Sequence, residues 1–282
     1  MIQASILQDR AILALDGAQA RDFLQGLITN DMAACRDDQA IYAALLTPQG
    51  KILFDFFVVS AAEDRFLLDC AAARAPELIR RLTLYRLRAK VEIGNRSDLI
   101  VAAMWNRAPM RTEAIRNEPI AFTDPRLPLL GLRMIGPRAE LEGAIQDVTP
   151  GDYRRHRLTL GIPDSGDLPP DQIFALDAGL EELNGVSFKK GCYVGQEVTS
   201  RMKHRATARR RFVKAEIAGA DLPQGTPLES QGRELGILAS GQNGQALALV
   251  RLDRLSDAEA SHAPIVAAGY PVRVQKPEWF GG

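Results

Sequence analysis

A hairpin signal near residue 50 constrains the fold more than any other feature of the sequence. Two stretches rich in aliphatic and aromatic residues, 41–46 and 52–59, are separated by Thr47-Pro48-Gln49-Gly50-Lys51. Proline and glycine favour a tight turn, so these stretches are predicted to be neighbouring antiparallel strands. The surrounding segments lack the regular strand–helix–strand rhythm of a doubly wound sheet. The sequence therefore predicts an α+β fold with largely antiparallel pairing.

Helix and strand signals interleave through the first 204 residues. Apolar residues recur at helical spacing after Ala18, and a second helix is predicted over 71–85 with Pro76 in its first turn. Short strands are predicted at 10–15, 66–68, 91–93, 99–104 and 130–135. We interpret 1–204 as one α+β region built from two interleaved subdomains.

The last eighty or so residues have a different pattern. Short β-rich stretches at 210–217, 235–239, 246–251 and 271–274 are separated by turns rich in glycine, proline and aspartate. Helical spacing is nearly absent until the end of the chain. This pattern predicts a small C-terminal β-barrel over 205–282.

Composition excludes several classes of protein. With 46% apolar residues the chain is not disordered, and its 35 basic and 35 acidic side chains argue against a dedicated nucleic-acid coat. The longest apolar runs, 56–59 and 99–105, are far too short for a membrane span. The polar N-terminus shows no secretory signal. We expect a cytoplasmic protein that makes no membrane contact.

Metal, nucleotide and hydrolase motifs are missing from the sequence. Cys35, Cys70 and Cys192 are too scattered for a disulfide framework or a paired-cysteine zinc site, and the three histidines lie in unrelated segments. Phosphate-binding, dinucleotide-binding and nucleophile-elbow motifs are absent as well. We therefore expect no metal site made by this protein alone.

The segment 184–197 is the most unusual part of the chain, because three glycines there frame a lysine pair, a thiol and an aromatic ring. The residues after Gly195 suit the first turn of a helix. A thiol near that turn and near Lys189 and Lys190 has its thiolate favoured. This pattern predicts a reactive or ligand-facing Cys192 on a tight loop. The alternative is that this cysteine is a small buried apolar residue, as lone cysteines more often are.

The stretch Lys190-Gly191-Cys192-Tyr193-Val194-Gly195-Gln196-Glu197 matches the signature K-G-C-[FY]-x-G-Q-E of the YgfZ family. That family resembles the T-protein, the aminomethyltransferase of the glycine cleavage system (GcvT), and is linked to assembly or repair of iron–sulfur clusters. Further similar stretches are 23–26 with 29–31, 47–51, 153–158 with 161–163, 236–240 and 248–251. The resemblance covers essentially the whole chain. Segment 184–201 looks closest to the branch that contains the mitochondrial cluster-assembly factor.

The resemblance implies a GcvT-like arrangement of mixed α/β subdomains around a central cleft that binds tetrahydrofolate or another reduced folate, with a C-terminal β-barrel. Such a cleft needs an apolar platform for the pterin, donors and acceptors for its edge, and cations for the glutamyl tail. The residues that the resemblance assigns to it are Tyr153 as a stacking face, Arg157 and Arg201 as carboxylate partners, Lys190, Gly191, Tyr193, Gln196 and Glu197 as a wall, and Asp55. Cys192 is assigned the catalytic position, with a redox or cluster-related role. For both arginines the alternative is an ordinary solvated or salt-bridging side chain.

Two departures from the aminomethyltransferases concern carboxylates. Those enzymes carry adjacent aspartates after the hairpin, where this chain has Phe54-Asp55, and a pterin-binding glutamate where it has Thr159. Without these acids we do not expect genuine aminomethyl transfer. Strand alternation also favours the interpretation that Asp55 faces water, between core phenylalanines. The phenylalanines expected in the core are Phe23, Phe54, Phe56, Phe57 and Phe188.

The predicted function is a tetrahydrofolate-binding accessory factor in the assembly or repair of [4Fe–4S] proteins, with folate and iron–sulfur client or assembly proteins as partners. One alternative is a folate-dependent one-carbon transferase. Another is a tRNA-binding protein, because 189–214 contains nine Lys and Arg against the single Glu197. The neutral chain and the lack of interleaved aromatic residues favour a solvated or partner-binding face for this segment instead.

Overall fold

The computed structural model describes residues 3–37, 39–106, 119–145, 150–205 and 209–280. Its strands are β1 Gln3–Ile6, β2 Arg10–Asp16, β3 Ile41–Leu46, β4 Ile52–Ala62, β5 Arg65–Ala71, β6 Glu92–Asn95, β7 Leu99–Trp105, β8 Ile120–Thr123, β9 Leu132–Pro137, β10 Arg210–Ile217, β11 Pro227–Ser230, β12 Arg233–Gln242, β13 Gln245–Arg251, β14 Val266–Ala267 and β15 Tyr270–Gln275. Its α-helices are α1 Ala20–Gln25, α2 Ala75–Arg86, α3 Arg138–Ala144, α4 Pro150–Leu160, α5 Gln196–His204 and α6 Leu252–Ala260. The predicted mixed α/β fold with a C-terminal barrel is confirmed.

The predicted hairpin forms the edge of a five-stranded antiparallel sheet with the order β3-β4-β5-β2-β6. The amide of Thr47 donates to the carbonyl of Lys51 at 2.8 Å, and Gly50 takes a positive φ of 80° at the turn. A second antiparallel sheet has the order β1-β7-β9-β8. The described strands pair antiparallel throughout, as the tight hairpin turn indicated.

Strand β4 is buried on both faces, and this corrects the interpretation that Asp55 faces water. From Phe54 onwards, even-numbered residues of β4 enter the core beneath α1 and α2, while Phe57 and Val59 enter the core shared with the second sheet. Asp55 lies on the Phe57 face and is 5% exposed. The alternation was correct, but the face predicted to meet water is covered by the second sheet, whose Phe122 ring centre lies 6.4 Å from that of Phe57.

The C-terminal strands close into a six-stranded barrel with the order β10-β13-β12-β11-β14-β15. Sequence patterns predicted β10, β12, β13 and β15, but missed the short strands β11 and β14. Helix α5 ends at His204 and β10 begins at Arg210, so the predicted domain boundary after residue 204 falls between these elements. Phe212 of β10 belongs to the core shared with both sheets, so the barrel packs directly against the α+β region.

Two expectations about single elements also differ from the structure. Helix α4 was not predicted, because its sequence Pro-Gly-Asp-Tyr-Arg-Arg-His-Arg-Leu-Thr-Leu offers few apolar positions for a helical period. Phe188, expected in the core, is 37% exposed, and the Lys203 ammonium lies 5.8 Å from its ring centre. In the described ranges, no helix combines the length and the hydropathy needed to cross a membrane.

A network of buried ion pairs joins the two sheets. Asp69 of β5 accepts a hydrogen bond from Arg10 Nε of β2 at 2.6 Å and one from Arg133 Nη2 of β9 at 2.5 Å. Asp124 is paired with Arg126 at 2.8 Å, and both side chains are fully buried. We call these five residues the central ion network. They lock the face-to-face packing of the sheets, because buried charges tolerate little departure from their paired geometry.

The substitution Asp69→Asn tests the central ion network. It leaves Arg10 and Arg133 buried with one carboxylate fewer, so the free energy of unfolding should fall by roughly 3 kcal/mol. Urea denaturation measures the change. The matched control is Glu142→Gln, which removes an exposed helical pair with Arg138 and should cost less than about 0.5 kcal/mol. Equal costs for the two variants would show that the network does not fix the sheet packing.

Candidate functional site

A cavity of about 920 Å³ lies where the five-stranded sheet, helix α4 and the barrel meet. Its lining comes from the start of β2, the segment after β5, α4, the connector at 164–167 and strand β12. The residues are Leu7, Gln8, Asp9, Arg10, Ala71, Ala72, Ala73, Gly151, Tyr153, Arg154, Arg157, Asp164, Ser165, Gly166, Asp167, Gln224, Ser240 and Gln242. Its volume lies at the upper end of the range typical of small-molecule sites.

Three lining residues carry a buried polar atom without a hydrogen-bond partner. These atoms are Tyr153 Oη, Asp167 Oδ1 and Gln242 Oε1. A buried polar atom that lacks a partner costs free energy, so such atoms in a cavity wall are suited to a ligand or to ordered water. A carboxylate oxygen and an amide oxygen accept hydrogen bonds, so this wall favours a ligand whose edge carries N–H donors.

Tyr153 and Arg157 lie together in the cavity wall, as their spacing along one helix face allows. The Tyr153 ring packs edge-on against Trp105, with ring centres 5.4 Å apart, and burial raises the pKa of its hydroxyl. The guanidinium of Arg157 donates to the Ile162 carbonyl at 2.5 Å and to Asp167 Oδ2 at 2.8 Å. The salt-bridging alternative for Arg157 is therefore what the structure shows, because these internal acceptors occupy its donors.

The sequence interpretation missed Arg154, which is exposed on α4 beside the same cavity. Arg154 lies next to Tyr153 in sequence, and helical geometry turns its side chain toward the cavity mouth rather than the core. An exposed guanidinium at a cavity mouth suits the carboxylate of a ligand tail better than the internally bonded Arg157. Thr159, at the position of the transferase glutamate, is exposed and donates to the His156 carbonyl of its own helix.

The connector residue Asp164 carries a charge at the same cavity. Burial alone would raise the pKa of its carboxyl, but Arg10, Arg126 and Arg157 lower that pKa well below its usual range. Its side chain also accepts from the Ser165 amide at 2.9 Å. Asp164 therefore stays ionised and holds the connector against the arginines of the central region.

Asp55 lies behind this wall rather than in it. Its Oδ2 accepts a hydrogen bond from the Tyr42 hydroxyl at 3.1 Å. Burial raises the pKa of the Asp55 carboxyl, while Arg10 opposes the rise. The described residues that line the cavity do not include Asp55. The geometry makes it an internal hydrogen-bond acceptor of the core.

Residues 190–197, which we call the signature loop, are attached to the fold through Lys190, which is 6% exposed. Its ammonium donates to the Ile28 carbonyl at 2.6 Å and to the Asn30 carbonyl at 2.8 Å. Burial lowers the pKa of this amine to about 8. Lys190 therefore fixes the loop against the segment that follows α1, and its charge is directed inward.

The glycines of the loop differ in what they permit. Gly195 has a φ of 83°, and a Cβ atom there would lie 2.6 Å from the Thr47 carbonyl oxygen of the hairpin. This close approach requires glycine, and it sets the start of α5 against the hairpin. At Gly191, by contrast, a Cβ atom would meet nothing within 4 Å. The fold therefore requires glycine at position 195 but leaves room for a side chain at position 191.

Cys192 is exposed at the tip of this loop, whereas Cys35 and Cys70 are buried. Burial raises the pKa of each of the two internal thiols to about 12. The alternative of a buried apolar role, left open for Cys192, applies instead to the other two cysteines. The part of the chain that the structure describes contains no group of three or more metal-ligating side chains.

The remaining candidates do not lie at the cavity. Tyr193 is 7% exposed, and burial raises the pKa of its hydroxyl to about 12. Gln196 and Glu197 form the first turn of α5, and Arg201 is exposed further along that helix, in a separate groove. The structure therefore brings Tyr153 and Arg157 together, but it does not bring residues 190–201 into the described wall of the same cavity.

The mixed α/β sheets and the closed C-terminal barrel define a GcvT-like aminomethyltransferase fold. Residues 9–104 match the family described as GCVT N-terminal domain, and residues 209–282 match CAF17, C-terminal beta-barrel domain. The solved structure of glycine cleavage system aminomethyltransferase T from Bartonella henselae superimposes with a TM-score of 0.77, over 99% of this chain and 86% of that one. Sequence identity to it is 18%, so this similarity concerns the fold.

Curated relatives narrow the class further. The mitochondrial iron-sulfur cluster assembly factor IBA57 of Homo sapiens is 31% identical over 97% of this chain and 84% of its own length. The mouse protein of the same name is 30% identical with the same coverage. This chain belongs to the IBA57 family of GcvT-like iron–sulfur cluster assembly factors. The expectation of a cytoplasmic protein is contradicted by these relatives, whose names place them in mitochondria.

The substitution Lys190→Met tests how the loop is held. It leaves two carbonyl oxygens without a donor, so the free energy of unfolding should fall by about 2 kcal/mol, measured by urea denaturation. The control Lys189→Met changes an exposed neighbour and should cost less than about 0.5 kcal/mol.

The pH dependence of the free energy of unfolding, compared between the wild type and Lys190→Met, gives a second readout. The unfolded state binds more protons at Lys190 between pH 8 and the usual lysine value, because the folded pKa is lowered to about 8. Stability of the wild type relative to Lys190→Met should therefore rise as the pH rises through this interval. A relative loss of stability with rising pH would show that the charged amine is favoured in the fold.

Proposed function

We propose that this protein is a tetrahydrofolate-binding accessory factor in the assembly or repair of [4Fe–4S] proteins, and that Cys192 is a transient ligand of the cluster in transit. The observation that carries the proposal is the exposure of Cys192 on an anchored loop, while the other two thiols are buried. Family membership supports the iron–sulfur part of the proposal. The cavity supports the folate part.

The chemistry of the thiol step is ligand exchange. On binding iron the Cys192 thiol releases its proton to solvent, and the thiolate displaces one ligand of the incoming cluster without any change in oxidation state. A [4Fe–4S] cluster is commonly held by four thiolates, so a single exposed cysteine supplies one ligand and the partner keeps the others. This arrangement favours passing a cluster on over storing it.

The volume of the cavity and the unpaired acceptors in its wall support the folate part of the proposal. The Asp167 and Gln242 oxygens have no protein partner, and the edge of a pterin carries N–H groups that donate to such acceptors. Tyr153 contributes an aromatic wall and an unpaired hydroxyl, and exposed Arg154 is placed to bind the carboxylates of the glutamyl tail. Bound tetrahydrofolate would supply a one-carbon carrier or a redox-sensitive ring at this position.

The substitution Cys192→Ala tests the thiol. In a strain that lacks the chromosomal gene, it should abolish recovery of [4Fe–4S] enzyme activity, because its side chain cannot bind iron. The expected loss is large, because the other two thiols of the chain are buried and cannot take the place of Cys192. Enzyme activity in extracts, normalised to the amount of client protein, measures the effect.

Two controls keep the Cys192 result specific. Lys189→Met alters the same loop without touching the thiol and should restore activity fully. Iodoacetamide should label one thiol in the folded wild type and none in folded Cys192→Ala, while unfolding releases the buried thiols in both. Full rescue by Cys192→Ala in a folded state would end the thiol proposal.

Folate binding is tested by calorimetric titration with tetrahydrofolate under anaerobic conditions. Tyr153→Phe removes the unpaired hydroxyl, so it should weaken binding about tenfold while leaving the unfolding free energy unchanged or slightly higher. The matched control Tyr193→Phe removes a hydroxyl from the signature loop, outside the described cavity wall, and should leave affinity unchanged. Loss of affinity in Tyr193→Phe but not in Tyr153→Phe would place the folate at the loop instead of the cavity.

A further inference from the structure

A groove of about 410 Å³ runs along helix α5 at the edge of the barrel. Five arginines line it: Arg201, Arg205, Arg209, Arg210 and Arg251. Asp177 is the acidic residue of its described wall. We call this feature the arginine groove. Its charge contrasts with that of the whole chain, which has equal numbers of acidic and basic side chains.

The arginines of the groove divide into two sets by pairing. Arg210 Nε lies 3.3 Å from Asp177 Oδ2, and Arg251 forms a two-pronged pair with Asp253 at 2.7 and 3.1 Å. The other three arginines are exposed, and their side chains make no hydrogen bond or ion pair with a described residue; they are Arg201, Arg205 and Arg209. Three guanidinium groups are therefore available to an external anion.

The floor of the arginine groove is apolar. Phe174, Val198 and Met202 are partly exposed there. Methionine adapts to partner side chains of varied shape, and an apolar floor between cations selects for a ligand with both apolar and anionic groups. A simple inorganic anion would leave this floor uncovered.

The groove also follows the helix that begins beside the exposed thiol. Val198, Arg201, Met202 and Arg205 recur at the spacing of one helical face. Elsewhere on α5, Lys203 is paired with Glu181, which holds the helix to the body of the protein. Since Gly195 caps the N-terminus of α5, a segment that lies in the groove is directed along the helix toward the Cys192 loop.

We propose that the arginine groove docks an acidic segment of a partner protein, with carboxylates on the unpaired arginines and at least one aliphatic side chain on the floor. This inference deepens the proposed function and rests on it only for the identity of the partner as an iron–sulfur protein. Docking along α5 positions that partner at Cys192. The binding site itself stands on the geometry of the groove.

A protein segment fits these observations better than a nucleic acid does. Guanidinium groups bind carboxylates with two parallel hydrogen bonds, and three of them lie within one groove. Sequence-tolerant binding of single strands relies on aromatic rings that stack successive bases. The described floor has one ring, Phe174, beside two aliphatic side chains, so it offers no such series of platforms.

The test measures fluorescence anisotropy of a labelled peptide built from glutamate, leucine and serine, added to the full-length protein at physiological salt. Two companion peptides replace either every glutamate by glutamine or every leucine by serine. The proposal expects binding of the first peptide, loss of binding without the carboxylates, and weaker binding without the leucines. Folate and clusters are left out of the assay, so its failure is distinguishable from failure of the proposed function.

The variant Arg201→Glu/Arg205→Glu should weaken peptide binding at least about tenfold, because attraction is replaced by repulsion at two contacts. The control Arg80→Glu/Arg88→Glu makes the same charge change at two exposed arginines, one in α2 and one just after it. It should leave the affinity for the peptide within about twofold of the wild-type value. Circular dichroism checks that both variants are folded. Equal losses in the two variants would reduce the effect to net charge and overturn the proposal.

A single-stranded oligouridylate of the same length as the peptide serves as the competing probe. If it binds more tightly than the acidic peptide, and Arg201→Glu/Arg205→Glu abolishes its binding, the groove is a nucleic-acid surface and the proposal is wrong. Failure of the acidic peptide to bind wild type at low salt, where exposed ion pairs are strongest, overturns it as well.

Discussion

The pairing of the Asp69 carboxylate with two arginines is the interaction on which the architecture depends. The carboxylate accepts hydrogen bonds from Arg10 of one sheet and Arg133 of the other, in a core made largely of aromatic and aliphatic side chains. The Arg133 guanidinium also lies 4.2 Å from the centre of the Phe57 ring. Hydrophobic contact alone permits sheets to slide, whereas a carboxylate bound by two guanidinium groups has a narrow range of low-energy positions. The two sheets are therefore set in one relative position.

That fixed position creates the cavity. Arg10 belongs both to the pair with Asp69 and to the cavity wall, and Asp164 lies 3.6 Å from its Nη1. Asp164 begins the connector that also brings Asp167 to Arg157 at 2.8 Å, and Arg157 reaches Ser240 of the barrel. The internal ion pairs thus continue from the sheets to the barrel. They use up most of the charged groups near the cavity, and this is why the polar atoms left without partners stand out as candidate ligand contacts.

Local patterns were sufficient for the hairpin, for the start of α5 and for four barrel strands, because each depends on turn residues and periodicity within a few positions. They failed where burial is decided by distant chain. Asp55 obeyed its alternation, yet the face it occupies is covered by β7 to β9, which begin more than forty residues later. Local patterns did not predict a cleft either, which was expected only from the family resemblance, since Tyr153 and Gln242 line one cavity only after the barrel packs on α4. The sequence pattern placed Lys190 in the glycine-framed loop, but the inward direction of its side chain depends on the carbonyls of Ile28 and Asn30.

The loss of the transferase carboxylates is consistent with this internal use of charge. A group that transfers protons to a bound pterin must face it with a free proton-accepting oxygen. Asp55 instead accepts from Tyr42 inside the core, and Thr159 on α4 bonds to its own helix and is exposed. The same fold therefore keeps a cavity of ligand size, while Asp55 is bonded inside the core and Thr159 replaces the transferase glutamate. The exposed thiol of Cys192 lies on a loop outside the described wall of that cavity. The proposed role of Cys192 and the proposed binding in the cavity therefore rest on different parts of the molecule, and different substitutions should remove them.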